Sequence, residues 1–220
     1  TLPKNCSLYL GKMAKFPYEC LLLFFSLKIL LAFLLYNWHQ KLCINHFSKN
    51  PLKSIIFGTD KKAGLHSFSL DGKRLQFIPS GRINNIDSRG GYSFGAKKFS
   101  ILAGSNASND SIIIYLINED GIIDNLEKNE AFTGLESVYG LCMYKSKKSK
   151  ATYIFVSDAL TLSIYQYRVL NFFPIKVRLE RQFQTSSTSE GCVADDDAGI
   201  LYFSQEDENS GVYLIDATGS

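Results

Sequence analysis

The sequence predicts an all-β chain arranged as a β-propeller, and three observations lead there. From Lys53 onward, short β-rich runs alternate with polar turns. Over the same span no amphipathic helical stretch of useful length intervenes. The runs also recur as a unit. Taking Ile56, Ile101, Ile154 and Leu201 as equivalent points gives spacings of 45, 53 and 47 residues. A period of about forty to fifty residues with about four strands in each is the pattern of propeller blades.

Each unit can be justified in order. Ser54 to Gly72, SIIFGTDKKAGLHSFSLDG, reads as a strand, an acid-bearing turn, a second strand and an acidic turn. Lys97 to Gly121, KKFSILAGSNASNDSIIIYLINEDG, and Gly199 to Gly219, GILYFSQEDENSGVYLIDATG, repeat that order. Ala151 to Val169, ATYIFVSDALTLSIYQYRV, repeats it without a clear closing glycine. In a propeller the equivalent turns gather at one end of the ring. Thr59-Asp60-Lys61, Ser105-Asn106, Ser157-Asp158 and Gln205-Glu206-Asp207 are therefore expected around one axial mouth. Such acids could line a site there or simply cap their turns.

Composition excludes several classes. The chain has 220 residues, 24 Lys and Arg against 21 Asp and Glu, and a net charge of +3. That balance is too weak for a nucleic-acid binder, and no basic, aromatic-interleaved stripe is present. Nucleic acid is thus not an expected partner, and a monomer is expected. The five cysteines form no CxxC pair and no zinc-ligand spacing with His39, His46 or His66. Cys142 and Cys192 lie inside apolar runs, so both are expected as reduced, buried thiols.

The first 43 residues do not match the rest. Leu21 to Leu35, LLLFFSLKILLAFLL, is hydrophobic all round, about fifteen residues long, and follows Lys4, Lys12 and Lys15. A spanning helix needs about twenty apolar residues. A basic flank before a short apolar core is nearer to an export signal or anchor, with membrane contact expected only if residues 16–37 act so. A stretch translated in error would look the same. The expected organisation is a non-matching segment over 1–43 and a partial propeller over 44–220.

One question concerns Thr188 to Asp207, TSEGCVADDDAGILYFSQED. It places Glu190, Asp195, Asp196, Asp197, Glu206 and Asp207 around a single apolar run. Together with GTDKKAGL and SLDGKRLQFIPSGRINNID (Gly58 to Asp87) and ESVYGLCMY (Glu136 to Tyr144), this stretch resembles the β-propeller phytases. The resemblance covers roughly Ile44 to Ile215 and respects the family's order. It implies a six-bladed propeller, of which these residues would form an incomplete ring of about three to four blades. It also implies a secreted, extracellular or periplasmic, calcium-dependent phosphomonoester hydrolase acting on phytate.

The acids then have a physical rationale. Phytate carries six phosphates of about −1.5 to −2 each, roughly −9 to −12 in all. Two like unit charges about 5 Å apart repel by on the order of 3 kcal/mol at an effective dielectric near 20. Calcium, which takes six to eight oxygen ligands, reverses that sign by sharing carboxylate and phosphate oxygens. It would also activate a bound water.

The resemblance assigns roles residue by residue. Tyr139, Glu190 and Glu206 are the implied catalytic residues, and Lys61, Arg89 and Tyr139 the implied substrate contacts. Glu190, Glu206 and Asp87 are the implied calcium ligands, with Asn84 and Asn85 lining the same mouth. Arg89 could equally be an internal ion-pair partner. Three departures stand against the family pattern. Residues 37–51 carry no acid where the family has an acid-rich segment, Ala107 replaces an arginine, and Ala159-Leu160 replaces a Lys-Glu pair. They leave room for a chain with little activity of its own, or for a non-catalytic propeller that binds an anionic ligand or a protein. A lactonase-like metal propeller would share the acid-lined mouth but not the VYG and SEG motifs together.

Overall fold

A computed structural model describes residues 7–9, 41–45, 51–123, 130–172, 175–207 and 211–218. The expected signal or anchor at 16–37 lies outside the described residues. Among the described residues no helix is long and apolar enough to cross a membrane. The only helical element among them is a 3-10 turn at Pro51–Lys53.

Among the described residues sixteen strands form four antiparallel sheets that follow one another along the chain. The first sheet contains β1 (Ser7–Tyr9), β2 (Lys41–Asn45), β3 (Ile55–Asp60), β4 (Gly64–Ser69) and β5 (Arg74–Pro79). The second contains β6 (Ile83–Phe94), β7 (Lys97–Asn106), β8 (Ser111–Ile117) and β9 (Glu130–Phe132). The third contains β10 (Val138–Lys145), β11 (Thr152–Asp158), β12 (Ser163–Phe172) and β13 (Ile175–Gln184). The fourth contains β14 (Cys192–Asp195), β15 (Ile200–Ser204) and β16 (Val212–Asp216).

The inner strands β2, β6, β10 and β14 of successive sheets lie against one another. This is a partial β-propeller, all-β as expected. The four points used to find the repeat, Ile56, Ile101, Ile154 and Leu201, all fall on the strand paired next to the inner strand of their sheet. The first sheet starts earlier than residue 44, because Lys41–Asn45 pairs with β3 and Ser7–Tyr9 pairs with Lys41–Asn45.

Strands buried on both faces explain the near-continuous apolar runs. Along β8, Ile113, Tyr115 and Ile117 join a core with Phe57, Leu65 and Leu102. The alternate residues Ile112 and Ile114 join a different core with Leu141, Met143 and Ile154. The same division holds in the third sheet, where Leu141, Met143, Ile154 and Val156 face the second sheet. Cys142, Tyr144, Tyr153 and Phe155 face the fourth, against Leu201 and Phe203. Side chains alternate across a strand, so a sheet between two sheets needs apolar residues at consecutive positions. Each such buried side chain contributes on the order of 1.5–3 kcal/mol. On β13, the outer strand of the third sheet, Ile175 and Val177 pack on the core towards the second sheet and Phe183 on the core towards the fourth, while the residues between them are mostly exposed.

One expectation is corrected. Cys142 and Cys192 are not reduced thiols but a disulfide, with their Cα atoms 5.8 Å apart. They sit on β10 and β14, adjacent inner strands of the third and fourth sheets. Apolar flanks indicated burial but could not show that the two positions meet. Cys43 is a free, buried thiol, and burial pushes it up to about 12.

Candidate functional site

Antiparallel pairing brings the start of each inner strand to the same end of its sheet as the finish of the next strand. Lys41 begins β2 and Lys61 follows β3; Asn85 lies near the start of β6 and Ser105 near the end of β7. Tyr139 lies near the start of β10, Glu190 just precedes β14, and Glu206 follows β15. These positions meet at the inner end of the sheets.

Lys61 Nζ donates to Glu190 Oε1 at 2.9 Å, joining the first sheet to the entry of the fourth. Lys41 Nζ lies 3.6 Å from the same oxygen. The Tyr139 phenol donates to Glu206, at 3.3 Å to Oε1 and 3.4 Å to Oε2. Thr188 Oγ1 donates to Glu206 Oε2 at 3.3 Å, and the Glu206 amide donates to the Thr188 carbonyl at 2.9 Å. Lys61, Tyr139, Glu190 and Glu206 therefore share one space, although they come from three different sheets.

The supporting contacts are backbone-directed. Asn85 Nδ2 donates to the Glu190 carbonyl at 2.7 Å, and Ser105 Oγ donates to the Tyr139 carbonyl at 2.8 Å. The Gly140 amide donates to Ser157 Oγ at 2.7 Å, and that hydroxyl donates to the Ser189 carbonyl. Only glycine fits at 140. A Cβ there would lie 2.5 Å from the Glu190 carbonyl oxygen and 2.7 Å from that of Ser189.

Electrostatics separates the two glutamates. Burial alone would raise both carboxyls. For Glu190 it is outweighed by the Lys61 hydrogen bond and the charges of Lys41 and Lys61, which hold the group below the usual carboxylate range. For Glu206 burial is reinforced by the charge of Glu190, and its carboxyl is raised. Burial, with Glu190 and Glu206 beside it, pushes the Tyr139 phenol well above its ordinary value. Burial pulls Lys41 down to about 8, with the Glu190 charge opposing.

Asp87 and Arg89 do not join this cluster. Arg89 is 2% exposed, and its Nη1 pairs with Asp87 Oδ2 at 2.9 Å while its Nε pairs with Asp196 Oδ2 at 2.8 Å. It also donates to the Ser88 and Met143 carbonyls. Asp87 further accepts the amides of Ser88 at 2.7 Å and Met143 at 2.9 Å. In place of a substrate contact and a calcium ligand, the structure shows a buried ion pair that ties the second, third and fourth sheets. An NNID motif followed by Ser-Arg fits either role by sequence; the guanidinium's neighbours decide between them.

The acidic stretch also resolves into separate tasks. Glu190 and Glu206 lie in the cluster, whereas Asp195 caps its own turn through the amides of Asp197 and Ala198. Asp196 pairs with Arg89 and Asp197 with Lys147. Asp158 likewise caps, accepting the amides of Glu136, Ser137, Leu160 and Thr161. At the corner where Ala107 stands, Arg82 donates its guanidinium to the Ala107 carbonyl.

Lys41 was not anticipated. Its only signal was its place at the head of the apolar run KLCIN, inside a segment that otherwise differs from the family pattern.

The fold and this cluster together define a propeller whose mouth is lined by paired carboxylates, lysines and a tyrosine. The phytase family model matches residues 40–220, and the chain belongs to that family. It is similar to the 3-phytase of Bacillus subtilis (strain 168), at 34% identity over 167 residues covering 73% of this chain and 44% of the relative. The chain thus spans less than half the length of that curated relative. A crystal structure of a functionally unknown protein from Desulfotomaculum acetoxidans DSM 771 superposes with a TM-score of 0.54 at 15% identity. That match covers 80% of this chain and 52% of the other, and it shows a shared fold alone.

Proposed function

We propose that this chain carries part of the site of a calcium-dependent phosphomonoester hydrolase that releases phosphate from phytate. The single observation behind this reading is that Lys61, Tyr139, Glu190 and Glu206 share one space in a chain of the phytase family.

Calcium fits the donor chemistry. Burial, and then the charge of Glu190 beside it, raises the Glu206 carboxyl, and a divalent cation would offset both. Asn85 Oδ1, buried near Glu190, has no hydrogen-bond partner in the structure and adds a neutral oxygen. Among the described residues no group of three or more His, Cys, Asp or Glu converges, so part of the shell would come from water and phosphate. Glu190, Glu206 and Asn85 would hold the ion, which when bound supplies charge neutralisation and an acidified water.

The chain's own groups do the remainder. Lys61 is the more exposed of the two lysines, so its ammonium can turn from Glu190 to a substrate phosphate. The Tyr139 phenol keeps its proton at neutral pH and can donate it in a hydrogen bond to a phosphate oxygen. Glu206, whose carboxyl is raised by burial and by the charge of Glu190, is the better of the two glutamates to accept a proton. The Cys142–Cys192 disulfide supports a secreted or periplasmic location, where such bonds persist.

The test is phosphate release from phytate by this chain, with calcium present and then chelated. Release that disappears on chelation supports the reading, and release indifferent to chelator overturns it. A second reading, a non-catalytic propeller for an anionic ligand, is favoured by Ala107 and Ala159-Leu160, which lack the charged side chains of the family pattern. A folded chain that binds phytate with calcium but releases no phosphate would select it.

A further inference from the structure

Lys41 changes the charge of the site. Lys41 Nζ and Lys61 Nζ approach the same oxygen, Glu190 Oε1, at 3.6 and 2.9 Å. The two lysines differ in freedom. The Lys61 side chain is 30% exposed and can leave, whereas that of Lys41 is 10% exposed. The Lys41 backbone is held in β2, where its amide donates to Thr59 Oγ1 at 3.1 Å and the next residue pairs with Gly58. Two ammoniums beside two carboxylates make the cluster electrically neutral without any metal. The segment that delivers Lys41, residues 37–51, brings no carboxylate to offset it.

We propose that Lys41 is a tethered counter-cation of the Glu190–Glu206 pair, whose ammonium competes with a divalent cation for Glu190 and so sets the metal affinity of the site. The inference rests on the reading of Glu190 as a metal-facing carboxylate. A fixed positive charge a few ångströms from an ion site repels a doubly charged ion, and Lys41 lies 3.6 Å from an oxygen the ion would need. Lys41 is thus a specificity-determining residue, favouring the metal-free state until an additional anionic ligand arrives to rebalance the charge.

The experiment is calcium titration by calorimetry of the unaltered chain, of K41M and of K41Q, with calcium-dependent melting temperature as a second readout. Methionine keeps the buried stem and removes the charge. Glutamine keeps a polar tip, so one of the two retains the fold should the other fail. K41M or K41Q is expected to bind calcium about tenfold tighter or more, the effect of deleting one nearby unit charge. Adding E190Q to that variant is expected to abolish the gain. Measurable calcium binding of unchanged affinity in folded K41M and K41Q overturns the role of Lys41 alone. A gain that survives E190Q likewise overturns it, since the competition would then not be for Glu190. Absence of calcium binding in all three proteins overturns the metal reading of Glu190, and this inference with it.

Discussion

Lys61 Nζ lies 2.9 Å from Glu190 Oε1, a contact between residues 129 positions apart in the chain. One follows β3 of the first sheet and the other enters the fourth sheet. Neither sheet alone contains a site. The packing of inner strands in the partial propeller makes their ends neighbours, and that adjacency turns isolated charged turns into a cluster with shared electrostatics.

Gly140 sets the clearance between two parts of that cluster. Gly140→Ala would place a methyl against the Glu190 and Ser189 carbonyls, which are backbone atoms with little room to move. The variant is expected to lose about 1–3 kcal/mol of stability in urea denaturation, the usual range for forced overpacking. Calcium binding should weaken as well, because Tyr139 and Glu190 are pushed apart. Unchanged stability and binding would show that the strands separate freely here.

The Arg89 network is expected to be structural. Arg89→Ala leaves the buried Asp87 and the partly buried Asp196 without their cation, a loss of about 3–5 kcal/mol when one member of a buried pair is removed. Arg89→Lys should recover little of it. A single ammonium cannot reproduce a guanidinium that reaches Asp87, Asp196 and Met143 together. Chemical denaturation of the two variants checks this; full recovery by lysine would contradict it.

The Cys142–Cys192 bond closes a loop with a sequence separation of 50. The chain-entropy account of cross-links gives about 4 kcal/mol for a loop of that size. A Cys142→Ser, Cys192→Ser double variant is expected to unfold at lower urea concentration by about 2–4 kcal/mol. Denaturation midpoints with and without reductant provide the comparison, and reductant should leave the double variant unchanged.

Asp158 supplies a pH dependence with a definite sign. Burial opposes its ionisation, but four backbone amides outweigh that and hold its carboxyl below the ordinary 3.8. The folded state therefore binds fewer protons than the unfolded state as pH falls through that window. The stabilisation is fully present above about pH 4 and is lost as pH drops through the depressed folded value. Asp158→Asn should be less stable than the unaltered chain at pH 7 by about 1–3 kcal/mol, the range for hydrogen bonds to a charged group. The gap should close below the ordinary carboxylate range. A gap that is constant with pH would show that ionisation of Asp158 does not matter. Glu206 acts in the opposite sense, since its raised carboxyl makes folding less favourable as pH rises past 4.5.

Much of the architecture was legible because it rests on local pattern. Ile112-Ile113-Ile114 announces a strand buried on both faces, and the structure divides those residues between two cores. The spacing of Ile56, Ile101, Ile154 and Leu201 marks one strand in each sheet, since every blade repeats the same alternation and turns. Gathering Lys61 and Glu206 at one end also follows from the repeat, because equivalent turns share a face.

Other features depended on distances that no local pattern encodes. Cys142 and Cys192 read alike as buried thiols until β10 and β14 set their Cα atoms 5.8 Å apart. Asp87 and Arg89 were compatible with an open mouth until Asp196 and Met143 closed around them. Lys41 stood in an unremarkable stretch until β2 carried its ammonium to Glu190. By itself, then, the sequence determined the strands, their period and which turns share an end, since hydrophobic alternation acts between near neighbours in the chain. Only the tertiary structure decided which charges neutralise which, because Coulomb interactions and burial depend on separation in space, and the fold brings together residues 45 to 129 positions apart.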